Sequence, residues 1–315
     1  MTTLLSVVLT THDRPVALAQ EGAGFEIELV VVDDGSSSET QACCGTLATE
    51  DPRVRVVHHP RPLGAAAARN TGIDAAAGEL VGFCDDDEWL PGAAARALAR
   101  LEQTPVAGVV HGDTEVFHVR TGRRALARPP LECSAELFRW VHAFGNAFAI
   151  ARREAVTDAL RFDDSLPTSE DWDLWLRCAE RAPVVGVPAP LYRYTQHHGP
   201  RLTGIATSQR QAEGYAGLLA KHRASRTAAC ALHHELLIEL TRAGRGGLAE
   251  ALAERRHERG LPTAAAMVGA RIAASRIGVR RGDPALVVRM LARTVPMLER
   301  RRGGTAAPPR SRGQR

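Results

Sequence analysis

Lysine is nearly absent from this chain: Lys221 is the one lysine among 40 basic side chains, so positive charge is carried by arginine almost throughout. That absence tells against a nucleotidyltransferase, which would want a glycine-rich phosphate loop with a lysine soon after its first strand. No Gly-x-Gly-x-x-Gly follows the first apolar run either, which disfavours a dinucleotide-dependent oxidoreductase. The six cysteines include no Cys-x-x-Cys pair, and Cys43 and Cys44 are adjacent, so zinc-site and disulfide-framework spacings are both missing. A reducing, cytoplasmic setting is expected. No stretch approaches ~18 unbroken apolar residues, and no basic segment precedes the first strand-like run, so neither a membrane span nor a signal peptide is expected. The formal net charge of +4 over 315 residues is too small to argue for a nucleic-acid partner.

What is present is a globular composition, 44% hydrophobic, with four short apolar runs in the first third. Leu4 to Leu9 ends at Thr10-Thr11-His12-Asp13, and Ile27 to Val32 ends at Asp33-Asp34-Gly35-Ser36; Val54 to Val57 and Leu80 to Phe83 follow. Continuous, largely β-branched runs separated by helix-like segments are the pattern of buried parallel strands, so an α/β, doubly wound, mostly parallel sheet is expected. Ligands of such sheets bind beyond the carboxyl ends of the strands, which gathers Thr10, Asp34 and Asp86 at one edge. Thr10 and Ser36 have a second reading as helix caps. Residues 1–204 form this domain; residues 205–300 read as an α-helical domain rich in Ala, Leu and Arg, and residues 301–315 as a disordered Gly/Pro/Arg tail.

Two acidic segments carry the chemistry. Phe83-Cys84-Asp85-Asp86-Asp87-Glu88-Trp89-Leu90-Pro91 places consecutive carboxylates after an apolar run, a costly arrangement unless a cation sits among them. Oxygen ligands at a strand end suit Mg²⁺ or Mn²⁺, the bland reading being a solvated acidic turn. The second is Thr168-Ser169-Glu170-Asp171-Trp172-Asp173-Leu174-Trp175-Leu176-Arg177, a helix start with Ser169 or Thr168 as cap and an acidic first turn favourable to the helix dipole. Trp172, Trp175 and Leu176 would share its buried face. Between the two, Gly64 to Ala77 reads as a helix stopped at Gly78, with Arg69 either a surface arginine or a phosphate ligand. Val109 to Val119 reads as a strand pair, Asn146 to Ile150 as a strand and Arg153 to Leu160 as a helix. His233-His234 face different directions on a helix and do not make a metal pair.

Taken in order, Ser6-Val7-Val8-Leu9-Thr10-Thr11, Glu28 to Ser36, Gly64-Ala65-Ala66-Ala67-Ala68-Arg69-Asn70-Thr71-Gly72, Asp85-Asp86-Asp87 and Glu170 to Arg177 resemble family 2 glycosyltransferases of the GT-A fold, over about Leu4 to Thr203. The resemblance implies transfer of a sugar from a nucleotide-diphosphate donor, with inversion at the anomeric carbon. It implies that Thr10 and Asp34 hold base and ribose, with His12 where the family stacks a ring on the base. Arg69 would hold base or diphosphate, Asp85 the ribose, and Asp86 a metal, Mn²⁺ or Mg²⁺. It further implies Asp171 as general base, His197 near metal or diphosphate, and Asp87 and Glu170 in support.

The chain departs from the family pattern in three places. His12-Asp13 replaces the usual Tyr-Asn, Pro15 to Glu26 is shorter than the usual helical connection, and Cys84 stands where many members carry an acid. The expectation is an inverting, metal-dependent hexosyl- or N-acetylhexosaminyltransferase using a UDP-sugar and a soluble acceptor such as a natural product, peptide or glycan. The alternative is a non-catalytic nucleotide-sugar-binding scaffold. The helical domain is expected to cover the acceptor side or to form a homodimer interface.

Overall fold

The computed structural model describes residues 3–13, 25–84, 88–140, 142–144, 149–196 and 208–222. In chain order these form β1 (Leu4–Thr11), β2 (Glu26–Asp33), α1 (Ser38–Glu50), β3 (Val54–His58), α2 (Ala65–Ala75), β4 (Leu80–Cys84), β5 (Glu88–Trp89) and α3 (Ala93–Gln103). There follow β6 (Val109–His118), β7 (Arg123–Ala127), β8 (Glu132–Cys133), α4 (Ala135–Trp140), β9 (Ile150–Arg152), α5 (Arg153–Val156), α6 (Glu170–Arg181), β10 (Val184–Gln196) and α7 (Ser208–Lys221).

The ten strands among the described residues join one mixed sheet, ordered β3-β2-β1-β4-β9-β6-β10-β5, with β7 and β8 pairing at its side. The first four are parallel, β9 runs antiparallel between β4 and β6, and the long β6–β10 ladder is parallel again. The apolar runs are continuous because helices cover both faces. Val8, Val81 and Phe83 pack on one side with α6, while Leu5, Val7, Leu9 and Leu80 pack on the other with α3. Phe83 meets Phe162 edge-on at 5.2 Å and Trp175 at 6.1 Å, which seats α6 on the β4 face. Trp172, Trp175 and Leu176 are buried, as the helical spacing predicts, and Leu174 and Cys178 are buried as well.

Several local expectations change. Val109 to Val119 is not a strand pair in itself: β6 is one strand through His118, and its hairpin partner β7 follows a turn around Gly122. The helix expected over Arg153 to Leu160 breaks after Val156 into a 3₁₀ turn, Thr157–Ala159, with Thr157 at φ 38°. The helix after Gly64 ends at Ala75, one turn or less short of the Gly78 stop. Ser169 precedes α6 but makes no side-chain cap; it sits in the left-handed region at φ 65°, and its carbonyl accepts from Asp173 N–H at 3.2 Å. Of the short connection between the first two strands, residues 14–24 lie outside the described residues.

α7, the described part of the region from residue 205, packs on this core. Leu218 is buried in the same cluster as Trp175, and a Cβ on Gly214 or Gly217 would strike Thr168 or Leu166. The rest of the proposed helical domain, with His233 and His234, and the tail lie outside the described residues.

Candidate functional site

The carboxyl ends of β2 and β3 carry Asp33-Asp34 and His58-His59, and parallel register brings them together as two pairs. Asp33 Oδ2 lies 2.9 Å from His58 Nδ1, and Asp34 Oδ1 lies 2.8 Å from His59 Nδ1. Asp34 also accepts the backbone N–H of Leu63 at Oδ1 and of Gly64 at Oδ2, each at 2.8 Å. It thereby ties the loop before α2 to the end of β2. Burial alone would raise the pKa of Asp34, but the hydrogen bonds from His59, Leu63 and Gly64 outweigh it and hold the carboxyl below its usual range. His59 reaches on from Nε2 to Thr71 Oγ1 at 3.0 Å, fixing α2 to the same corner. These histidines were missed in the sequence, although doubled Asp and doubled His at successive strand ends are the trace they leave.

Gly35 turns the chain out of β2 at φ 72°, and a Cβ there would lie 2.5 Å from Arg61 C and 2.6 Å from Pro62 N. Both the dihedral and the close approach demand glycine. Gly35→Ala is expected to cost about 2–4 kcal/mol from strain and displaced loop, read as a fall in melting temperature of several degrees. Melting within one degree of the parent would mean the loop yields freely.

Thr10 is the penultimate residue of β1, and His12 follows the strand with Nδ1 3.0 Å from the Asp34 carbonyl oxygen. Asp13, at φ 53°, accepts Ser37 N–H at 2.7 Å, so the two strand ends Thr10–Asp13 and Asp34–Ser37 are laced side by side. Arg69 lies one and a half turns into α2, about 7.5 Å along the axis from Gly64. It is 5% exposed, its Nη1 donates to Glu170 Oε1 at 2.7 Å, and its guanidinium lies 5.1 Å over the Phe162 ring. Neighbouring Asn70 clamps the Phe162 backbone, donating to its carbonyl at 2.9 Å and accepting its N–H at 2.8 Å. Through these contacts α2 links the Asp34 corner to the start of α6.

Three carboxylates head α6, and their surroundings differ. Glu170 keeps 13% of its side chain exposed and is paired with Arg69; desolvation raises its pKa, Arg69 opposes that, and the charge of Asp171 adds to it. Asp173 is fully buried between Arg177, Lys221 and His222; burial would raise its pKa, but those partners pull it down to about 2. Asp171 keeps 14% of its side chain exposed, accepts Trp172 N–H at Oδ1 (2.8 Å), and has His142 as its only ion-pair neighbour among the described residues, 3.4 Å from Oδ2. Asp85, Asp86, Asp87 and His197 lie outside the described residues, and no group of three or more metal-ligating side chains occurs among the described ones. No described helix is long and apolar enough to cross a membrane.

Comparison with known proteins matches the family model "Glycosyl transferase family 2" to residues 16–159. The succinoglycan biosynthesis protein ExoO of Rhizobium meliloti (strain 1021) is 34% identical over 186 residues, covering 53% of this chain and 52% of ExoO. The chain thus spans about half the length of that relative. WcaA of Escherichia coli (strain K12), provisionally assigned as a colanic acid biosynthesis glycosyl transferase, is 30% identical over 207 residues, 62% of this chain and 71% of WcaA. Staphylococcus aureus TarS, solved with UDP-GlcNAc, superimposes with a TM-score of 0.55 at 18% identity over 77% of this chain and 72% of that one. The mannosyltransferase PcManGT of Pyrobaculum calidifontis, solved with GDP-Man and Mn²⁺, gives 0.54 at 20% identity over 97% and 89%. These structures share the mixed GT-A sheet, and with the motif order and the WcaA relationship they leave one assignment: the chain belongs to glycosyl transferase family 2.

Proposed function

We propose that the protein moves a sugar from a nucleoside-diphosphate donor, a uridine one foremost, to a hydroxyl or other nucleophile of a soluble acceptor, inverting the anomeric carbon. The observation that carries this reading is the division of labour at the head of α6: Glu170 and Asp173 are committed to ion pairs with Arg69 and with Arg177 and Lys221, and Asp171 alone has no Arg or Lys partner among the described residues. Asp171 is the base. It takes the acceptor proton as the acceptor oxygen attacks in line, and one base without a protein nucleophile is what a single displacement requires. Asp34, His59 and Gly64 shape the nucleotide corner, with Thr10 and His12 beside it, and Arg69 carries that corner's position to the base.

The donor set Asp86 and His197, supported by Asp87, combines hard carboxylate oxygens with an imidazole and fits Mn²⁺ or Mg²⁺. Such an ion, when bound, supplies charge neutralisation for the departing diphosphate. The named ligands of TarS and PcManGT, a UDP-sugar and a GDP-sugar with Mn²⁺, define the donors to try. A hexosyl or N-acetylhexosaminyl donor, a cytoplasmic setting, and a helical region that covers the acceptor or pairs two copies complete the proposal.

A thermal-shift panel of UDP, GDP and their sugars, with and without Mn²⁺, tests it. A ligand at ~100 times its dissociation constant adds ~2.7 kcal/mol, so a Mn²⁺-dependent rise of several degrees with one nucleotide class is expected. No rise with any member would remove the donor-site reading.

A further inference from the structure

The ring of His142 lies flat on the indole of Trp172, with centroids 5.2 Å apart and parallel planes. That indole is itself immobilised: it is 3% exposed, and its Nε1–H donates to the Phe138 carbonyl at 2.7 Å. The stack therefore sets the direction of the imidazole and leaves Nε2 3.4 Å from Asp171 Oδ2. Nε2 is buried and makes no hydrogen bond, although 27% of the side chain remains exposed. A buried polar atom without a partner costs about 1–3 kcal/mol, and such atoms mark sites where a function repays that cost. The other oxygen of Asp171 is held by Trp172 N–H, so the carboxylate turns its remaining oxygen toward His142. Glu170, the neighbour of Asp171 on α6, is paired with Arg69 of α2 at 2.7 Å.

We infer that His142 is a positioning residue for Asp171 and the next station for the proton that Asp171 removes from the acceptor. The inference rests on the reading of Asp171 as the base. In the step, the acceptor O–H bond breaks as its oxygen bonds the anomeric carbon, and the donor's carbon–oxygen bond breaks with its electron pair leaving on the diphosphate. The proton goes to Asp171 Oδ2, then to Nε2 of neutral His142, and leaves to water from the exposed part of the imidazolium ring. Hydrogen bonds of this kind are commonly long in ligand-free enzymes and tighten when substrate binds, which accommodates the 3.4 Å separation. His142 resets the base after each turnover and holds Oδ2 toward the acceptor.

Two measurements on the full chain test this. The imidazole NMR signal of His142, assigned by its loss in His142→Phe, is compared at one fixed pH in the parent and in Asp171→Asn, and is expected to move when the facing carboxylate is neutralised, since the ring then loses the charge beside it. In the second, nucleoside diphosphate release is followed from UDP-glucose, UDP-N-acetylglucosamine and GDP-mannose with water as acceptor. His142→Phe, which keeps the stack on Trp172, is expected to lower kcat about ten- to a hundredfold with donor KM unchanged. Superimposable His142 signals overturn the inference, as does parental kcat in His142→Phe. Turnover that survives in Asp171→Asn instead overturns the base reading, and the proton route with it.

Discussion

Asp171→Asn is expected to lower turnover by at least about 10²–10⁴-fold while leaving donor binding intact. The amide is nearly isosteric and can still accept Trp172 N–H at Oδ1, so the α6 start and the His142 stack should persist. What it lacks is a lone pair able to take a proton from the acceptor. Neither neighbour can substitute: Glu170 is held in an ion pair by Arg69, and Asp173 is fully enclosed by cations. The separation of binding from chemistry is the decisive readout. Donor-induced thermal stabilisation should match the parent while kcat collapses, as for a group whose contribution appears only in the transition state. Activity within tenfold of the parent would remove Asp171 from the mechanism.

The second large effect lies on the same helix. Asp173→Ala is expected to destabilise the protein by about 3 kcal/mol, the low end of the range for breaking a buried ion pair, because Lys221 and Arg177 are partly exposed and can turn to water. The carboxylate accepts from Arg177 Nε at 2.9 Å and Lys221 Nζ at 3.0 Å, and lies 2.8 Å from His222 Nε2. The chain's one lysine thus joins α7 to α6, two residues from the base. For a chain of this size, about 3 kcal/mol corresponds to roughly 6–12 °C in melting temperature. The folded pKa of Asp173 is depressed from 3.8 to about 2, so its stabilisation is fully present above about pH 4 and is lost as pH falls towards 2. That contribution is about 2 kcal/mol. Asp33, Asp34 and Asp163 are depressed as well, so the parent and the variant should both weaken in acid, the parent more steeply. Melting of Asp173→Ala within 2 °C of the parent at pH 7, a margin of about 1 kcal/mol, would show that the latch contributes little.

Much of the sheet and of α6 was legible without coordinates because their signals are local. Leu4 to Leu9, Ile27 to Val32 and Leu80 to Phe83 are apolar at every step, which happens when both faces of a strand are covered, and Leu5, Val7 and Leu9 do face one helical layer while Val8 faces the other. The head of α6 announced itself through an acidic first turn followed by Trp172, Trp175 and Leu176 on one face. Gly35 and Gly64 sat where the chain needs positive φ. Motif order then placed the chain in its family, since Thr10, Asp34, Arg69 and Asp171 each occur at a recognisable spacing.

The contacts that decide what those residues do join segments far apart in the chain, and no periodicity records them. Arg69, read as a surface or phosphate-binding arginine, is spoken for by Glu170 at 101 positions' remove. Lys221 meets Asp173 across 48 positions, and the antiparallel insertion of β9 between β4 and β6 depends on which strand edges remain unpaired after the core has formed. Ser169 has the composition of a cap, yet its backbone dihedral directs the hydroxyl elsewhere. His142 left no trace, because its place over Trp172 and against Asp171 is set by side-chain packing alone. The sequence by itself determined the strands, the start of α6 and the family, through burial patterns and turn chemistry that act within a few residues. Only the tertiary structure decided which of three adjacent carboxylates has no Arg or Lys counter-ion among the described residues, because a charge is neutralised by whatever lies within a few ångströms of it, however distant along the chain.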